Sequence, residues 1–360
     1  MKTLRVDLPG REYDIVIENG VLDQAGERIR AVCPRAEKVF VVTDTNVGPL
    51  YGQRLLDSLS EAGFEARMVS VPAGEGSKCS GRLAELWEAM VEFGLTRTDV
   101  VAALGGGVVG DLAGFAAATV LRGVDFVQLP TTLLAQVDSS VGGKVAVDLD
   151  HGKNLAGAFW QPKLVLMDPA TLETLDDKTF ADGMAEVVKY GCIWDKPFFD
   201  FLSVRPSRAA LMPDIEHILL TCCGIKRQVV VADERDTGMR MLLNFGHTIG
   251  HAYELAGRYE TWTHGQAVAA GMVAAAKLGV CLNITPEALP GQLEELLSKL
   301  GLPTAIPCDA ATYAAAVGRD KKGAGPDISI ILLERMGHAV AHKMPKAQLV
   351  RLLHSFTDLP

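Results

Sequence analysis

His247 and His251, four residues apart in LNFGHTIGHA, are the chain's sharpest chemical signal. On a helix that spacing puts both on one face. His264, in WTHGQAVAAGM, falls at the mouth of the helix expected next, and Glu186 and Lys189 in GMAEVVKYG share a face of an earlier one. Three nitrogen or oxygen ligands around one open position is the pattern of a catalytic zinc site. An isolated HxxxH pair serves structure as readily as metal, so the weight rests on its company. Arg240 and Asn244 precede His247 at helical or near-helical spacing, and Lys226 lies on the preceding helical segment. Lys144 in VGGK, and Lys153 with Asn154 in GKN, are flanked by glycine rather than by charged runs, which suits a ligand for phosphate or carboxylate. Any one of these lysines, taken alone, also reads as an ordinary solvated side chain. His151, His217, His338, His342 and His354 have no such company and are expected at the surface.

A second constellation is glycine-rich. LGGGVVGD (Leu104–Asp111) follows a strand-like run and precedes a helix of small residues, so its backbone can approach a diphosphate at a helix N-terminus. The consecutive Gly105, Gly106 and Gly107 depart from the usual GxGxxG spacing, and a tight strand-to-helix turn would read the same. VTDTNV places Asp44 and Asn46 after an earlier strand, where a carboxylate can meet ribose hydroxyls. PAGEGSK places Glu75 and Lys78 after another, and PTTLLAQVDSS puts Thr131 and Thr132 at the end of a further one. Each singly reads equally as a turn or cap. Together they favour a dinucleotide in the cleft of an open α/β sheet.

The elements that must hold these groups differ along the chain. Val39–Thr43, Val100–Leu104, Phe126–Leu129 and Leu164–Met167 are continuous apolar runs alternating with helical patterns, as in a parallel sheet covered on both faces. After Asp168 the pattern turns mainly helical, over Ala181–Tyr190, Pro213–Ala232, Phe245–Ala256 and Gly265–Leu278, with one late strand at Ile328–Leu333. The expectation is an α/β nucleotide-binding domain over residues 1–171 and a mainly helical domain over residues 172–360.

Composition sets limits. At 360 residues, 48% hydrophobic and 22% charged, the chain is globular and long enough for two domains. A formal net charge of −9 argues against a nucleic-acid-binding surface or a polybasic membrane anchor. No signal-peptide pattern opens the sequence, and Asp111 interrupts its most apolar stretch. Seven cysteines without a CxxC pair form no disulfide framework and no cysteine–zinc site, which points to a reducing cytoplasm.

LGGGVVGD, LPTTLLAQVDSSVGGK, GKN, GMAEVVKYG, and RMLLNFGHTIGHA followed by HGQAVAAGM stand in an order that resembles the dehydroquinate synthases of the sugar phosphate cyclase superfamily, from about Val39 to about Leu333. The resemblance implies a Rossmann-like NAD-binding domain, a helical metal-binding domain, and an active site between them. It puts zinc, cobalt or another divalent metal on Glu186, His247 and His264. It surrounds the substrate with Asp138, Lys144, Asn154, Lys189, Lys226, Arg240, Asn244 and His251, and has Arg122 reach the neighbouring site of a homodimer. Asp44, Asn46, Glu75, Lys78, Gly106, Gly107, Val108, Asp111, Thr131, Thr132, Lys144, Lys153 and Thr174 fall on the family's NAD positions, and Lys321 or Lys322 would meet substrate.

The implied reaction turns 3-deoxy-D-arabino-heptulosonate 7-phosphate into 3-dehydroquinate and phosphate. Transient oxidation by NAD makes phosphate β-elimination feasible, and re-reduction and an intramolecular aldol closure follow. His251 is the expected proton shuttle and Asp138 a hydroxyl partner. The net negative charge disfavours an anionic substrate at first reading, yet the resemblance gathers Arg122, Lys144, Lys153, Lys189, Lys226 and Arg240 around one. Three features depart from the family pattern: LDDKTFADGMAE leading up to Glu186, Asp236 in place of the usual glutamate, and KGAGPDIS from Lys322 onward. Alternative readings are a cyclase for another sugar phosphate, a metal-dependent polyol dehydrogenase and a catalytically silent NAD-binding protein. Lys226, Arg240, Asn244 and His251 favour a carboxylate-bearing substrate over the first of these.

Overall fold

The computed structural model of the chain describes residues 1–258, 260–319 and 325–357. Contacts divide it into two compact units, Met1–Leu175 with Glu216–Arg235, and Asp176–Ile215 with Asp236–Pro360.

In the first unit, β1 (Lys2–Val6), β2 (Tyr13–Ile17), β3 (Lys38–Asp44), β4 (Glu65–Val71), β5 (Val100–Gly105) and β6 (Asp125–Pro130) enter one seven-stranded sheet. The chain then forms a separate hairpin, β7 (Lys144–Leu149) with β8 (Gly152–Phe159), before β9 (Leu164–Met167) completes the sheet. The order is β1-β2-β9-β6-β5-β3-β4, parallel throughout except for the edge pair β1 and β2. All four strands expected in this half are present.

Their near-continuous apolar sequences follow from burial on both faces. Val39, Val41, Val100, Ala102 and Leu104 pack with Ile29, Leu55 and Leu59 of the helices Ala25–Val32 and Gln53–Glu61. The alternate residues Phe40, Val42, Val101 and Ala103 pack with Leu83, Leu86, Leu112 and Ala116 of the helices Ser80–Glu92 and Gly107–Thr119. Counting from β3, the parallel strands run 2-1-3-4-5, with the reversal of winding between β3 and β5. In such sheets the ligand crevice opens beyond the carboxyl ends at that reversal. The late helix Ile215–Ala232 belongs to this unit through its residues from Glu216 onward, and its Cys223 Sγ lies 3.3 Å from the Gln136 carbonyl.

Among its described residues the second unit is helical apart from the hairpin β10 (Asp327–Arg335) and β11 (His338–Pro345), of which only β10 is legible as an apolar run. Three of its helices matter most here: Asp177–Ile193, His247–Ala256 and His264–Cys281. The last two approach so closely that a Cβ on Gly271 would stand 2.1 Å from the Gly246 carbonyl oxygen. A Cβ on Gly265 would stand 2.0 Å from the Asp182 carbonyl oxygen, which seats the His264 helix against the Glu186 helix. Only glycine allows backbones this near. Among the described residues, no helix is long and apolar enough to cross a membrane.

Candidate active site

Glu186, His247 and His264 converge in the second unit, each offering a ligand atom within 4.8 Å of the others. The Glu186 carboxylate is fully buried, and its Oε1 lies 3.4 Å from His247 Nε2 and 3.5 Å from His264 Nε2. Lys189, three residues on and 1% exposed, makes an ion pair with Glu186 Oε2. The rear nitrogens are held as well. His247 Nδ1 faces the Phe245 carbonyl at 3.3 Å, and His264 Nδ1 faces Glu254 Oε1 at 3.5 Å.

Local sequence explains the placement. Asp176 accepts the Thr179 N–H and starts the Glu186 helix. Gly246, left-handed at φ 81°, turns the chain into the His247 helix. Thr263 and Gln266 form a reciprocal capping box that fixes His264 at the first position of its helix. Asp182 adds a hydrogen bond from the Gly265 N–H at 2.6 Å.

Burial lowers the His247 pKa to about 3, against the pull of Glu186. Burial acts the same way on His264, but hydrogen bonds to Glu186 and Glu254 outweigh it and raise the pKa to about 10. Two imidazoles and a carboxylate, with both imidazoles braced from behind, form a donor set that fits zinc or cobalt.

The remaining expected groups of this unit have other placements. His251 shares a helix with His247, its ring edge-on at 6.0 Å, but it is exposed and not one of the converging ligands. Arg240, 3% exposed, and half-buried Asn244 do not share a helix with His247. They occupy a 3-10 turn, Met239–Asn244, because Gly246 breaks the helical path before His247. Lys321 and Lys322 lie outside the described residues.

In the first unit, the groups collect where strands end. Lys78, 5% exposed, places Nζ 2.6 Å from Asp111 Oδ2 and 3.9 Å from Glu75 Oε1, and Lys153 Nζ is also 3.9 Å from Glu75 Oε1. Burial works against the Lys78 charge, but Asp111 and Glu75 raise its pKa above the ordinary value. Burial raises the Asp111 carboxyl despite the opposing pull of Lys78.

The helix Gly107–Thr119 starts after Gly106, an N-cap residue with no side chain to cap its N-terminal N–H groups. A Cβ on Gly106 would sit 3.1 Å from Thr132 Cγ2, and one on Gly107 3.1 Å from Ser139 Oγ, so glycine keeps this cradle clear. Val108 is half-buried in the first turn. Among the described residues the buried Thr131 Oγ1 has no hydrogen-bond partner, and Thr132 Oγ1 accepts the Ala135 N–H at 3.2 Å. An uncapped helix start, a cleared cradle and an unsatisfied hydroxyl at the winding reversal fit a dinucleotide.

Asp44 Oδ1 accepts the Asn46 and Val47 N–H groups at 2.8 and 2.9 Å, so this carboxylate also shapes its turn; Asn46 is exposed. Thr174 hydrogen-bonds Tyr51 through its hydroxyl at 2.6 Å. Asp138 accepts from buried Lys226 at 2.8 Å. Lys144, Asn154 and Arg122 are exposed. Asn154, at φ 54°, donates its N–H to Asp148 at 2.7 Å, and Arg122, at φ 69°, sits between Leu121 at φ 50° and Gly123 at φ 111°. Consecutive left-handed residues of this kind store strain.

Two groups escaped the sequence reading, Asp182 and Glu254. Asp182 precedes Glu186 by four residues and Glu254 follows His247 by seven, so helical periodicity marks the face of each but not its partner.

Residues 68–182 match the 3-dehydroquinate synthase N-terminal family model, and residues 183–323 match the C-terminal one. The chain belongs to the 3-dehydroquinate synthase family. A 3-dehydroquinate synthase of Clostridium beijerinckii is 45% identical over 344 residues, covering 95% of this chain and 98% of that protein. One of Desulforamulus reducens is 48% identical over 309 residues, covering 85% and 86%.

Solved structures in the same superfamily superpose closely. A 2-deoxy-scyllo-inosose synthase complexed with carbaglucose-6-phosphate, NAD+ and Co2+ has a TM-score of 0.88 at 26% identity, covering 98% of this chain and 100% of its own. A 2-epi-5-epi-valiolone synthase from Streptomyces hygroscopicus with NAD+ and Zn2+ bound has a TM-score of 0.85 at 27% identity, covering 96% and 97%. Glycerol dehydrogenase from Schizosaccharomyces pombe, at 16% identity and TM-score 0.65 over 95% of this chain and 88% of its own, shares the fold alone.

Proposed function

We propose that the chain is an NAD- and divalent-metal-dependent 3-dehydroquinate synthase, converting 3-deoxy-D-arabino-heptulosonate 7-phosphate to 3-dehydroquinate and phosphate. The observation that carries the reading is the braced Glu186–His247–His264 triad in a chain 45% identical to a 3-dehydroquinate synthase over nearly its full length. NAD, when bound, supplies a reversible hydride acceptor, so that the overall conversion is redox-neutral. A divalent metal held by Glu186, His247 and His264 supplies Lewis acidity toward substrate oxygens.

The chain's own residues supply the rest. Gly106, Gly107 and Val108 offer backbone to the cofactor's diphosphate, and Thr131 offers a buried hydroxyl. Asp111 and Glu75 hold Lys78 in place for the same ligand, and Lys153 pairs with Glu75, with Asp44, Asn46, Thr132, Lys144 and Thr174 as further contacts. Lys189 is held at Glu186 by its ion pair, where a cation can neutralise a substrate oxyanion. Lys226 is fixed by Asp138, which leaves an ammonium oriented rather than freely rotating. Arg240, Asn244, Lys144 and Asn154 bind the carboxylate and phosphate, and exposed His251 moves the proton. Arg122 serves the neighbouring subunit's site, and its strained backbone supports a role beyond packing.

Phosphate release from the heptulosonate phosphate, with NAD and zinc or cobalt present and no net NADH formed, is the expected result. Net NADH accumulation would identify a dehydrogenase. Release of phosphate only from a sugar phosphate lacking the carboxylate would identify another cyclase. No turnover of any of these would sink the assignment.

A further inference from the structure

We propose that Glu254 is a positioning residue for the metal centre, holding the ring orientation and proton placement of His264 so that Nε2 faces the site. This rests on the reading of Glu186, His247 and His264 as metal ligands. Glu254 stands seven residues after His247, two turns along one helix and on the same face. Between them, Gly250 lets the His264 helix come close, since a Cβ there would lie 3.0 Å from the Ala267 carbonyl oxygen. The His247 helix therefore contributes two groups to the site, a ligand and, farther along, a carboxylate behind another ligand.

Glu254 is 2% exposed, and an ionised carboxylate is not buried without partners that compensate its lost hydration. His264 Nδ1, 3.5 Å from Glu254 Oε1, is one such partner. The opposite ring nitrogen points at Glu186 Oε1, also at 3.5 Å. With Nδ1 engaged by Glu254, Nε2 is the ring nitrogen that faces the point where the three ligand atoms converge. A carboxylate behind an imidazole in this way fixes its tautomer and increases its basicity toward a metal. His247 is braced differently, by the Phe245 carbonyl, which no side-chain substitution can remove. Of the two histidines, His264 is thus the one whose orientation depends on a replaceable residue.

The test is metal affinity of the purified full chain, stripped by chelator and titrated with Zn2+ against a chromophoric competitor, then with Co2+ to record its visible absorption. Loss of an outer-shell partner of this kind typically weakens binding by about 10–100-fold. Glu254→Gln keeps the volume and one acceptor but loses the charge, so its affinity should fall between those of the wild type and Glu254→Ala, and both variants should shift the cobalt spectrum. Glu254→Asp should recover part of the loss. Tyr253→Phe is the structural control: it removes a buried hydrogen bond with Tyr313, 3.2 Å long, without touching His264. It should lower the melting temperature and leave metal affinity unchanged.

Unchanged affinity in Glu254→Gln and Glu254→Ala would overturn the proposal. So would a loss that Tyr253→Phe reproduces in proportion to its melting temperature, because that is what a packing role predicts. A wild type that binds neither metal would overturn the reading of the triad itself, and the proposal with it.

Discussion

Lys78, Asp111 and Thr131 reach their places from strand ends and the turns beyond them, whereas Glu186, His247 and His264 project from three helices held together by backbone contact at glycine. In the first unit the polar groups largely satisfy one another, through Lys78 with Asp111, Lys153 with Glu75 and Lys226 with Asp138. In the second, two imidazoles and a carboxylate turn toward one point, and their opposite sides are braced. A sheet gives loops that wrap a large ligand and tolerate adjustment. Helix faces give a compact donor set whose geometry depends on interhelical distance to a fraction of an ångström. The two constructions should therefore fail in different ways.

The largest effect is expected from His247→Ala. Removing a ligand should cost more than the roughly 10–100-fold in metal affinity that an outer-shell loss costs, and phosphate release should fall to background. NAD affinity, measured by equilibrium titration, should stay within about twofold, the spread within which independent sites behave additively. A comparable loss of both would mean that the two sites are not separable in this way.

Lys78→Met attacks the other construction. It strips Asp111 of its nearest cation in a buried position, for which about 3–5 kcal/mol of destabilisation is typical. Asp111 keeps some solvent contact, so the lower end of that range is expected in denaturant unfolding. NAD should bind more weakly and metal affinity should hold. The double variant with Asp111→Asn should recover part of the stability, because no unpaired charge then remains.

Gly265→Ala asks whether helix separation sets the metal geometry. The added methyl would meet the Asp182 carbonyl at 2.0 Å, and overpacking of this sort costs about 1–3 kcal/mol. Metal affinity should fall with stability, since His264 moves with its helix. Full retention of metal affinity would show that the ligands adjust independently of the backbone.

The same contrast governs how much the sequence reveals. Val39–Thr43, Val100–Leu104 and Leu164–Met167 are legible as strands because burial on both faces leaves an unbroken apolar run. β4 and β7–β8 are less so, because their faces are partly exposed and no such run survives. The glycine segment before Asp111 is legible because three consecutive glycines stand between an apolar strand run and a helix of small residues. In the helical unit, spacing alone couples His247 to His251, yet the converging partner is His264, on another helix. Periodicity reports which face a residue occupies and is silent about what packs against that face. Glu254 and Asp182 stay hidden for that reason. The resemblance to a known family supplied the triad that spacing left open.

Within the sheet itself, the end that binds should be separable from the end that only stabilises, and Asp99 tests this. It precedes β5, at the end of the sheet opposite to Gly105, and is 1% exposed. It accepts the N–H groups of Glu37 and Lys38 at 3.0 and 2.9 Å and both the N–H and the hydroxyl of Thr96 at 2.7 Å. Burial alone would raise this carboxyl, but the hydrogen bonds from Thr96, Lys38 and Glu37 prevail and hold it below its ordinary value. A depressed folded-state pKa gives stability that is fully present above the unfolded value of about 3.9 and is lost as the pH falls through the folded one. Asp99→Asn keeps one acceptor oxygen and sets a donor against donors, so about 1–2 kcal/mol should be lost near neutral pH. Below the unfolded pKa, where the wild type also gives up its charge, the gap between the two proteins should narrow. NAD affinity should not change, because the strand starts are remote from the crevice that the strand ends form. A weaker NAD affinity in Asp99→Asn at neutral pH would mean that strain at one end of the sheet is transmitted to the other.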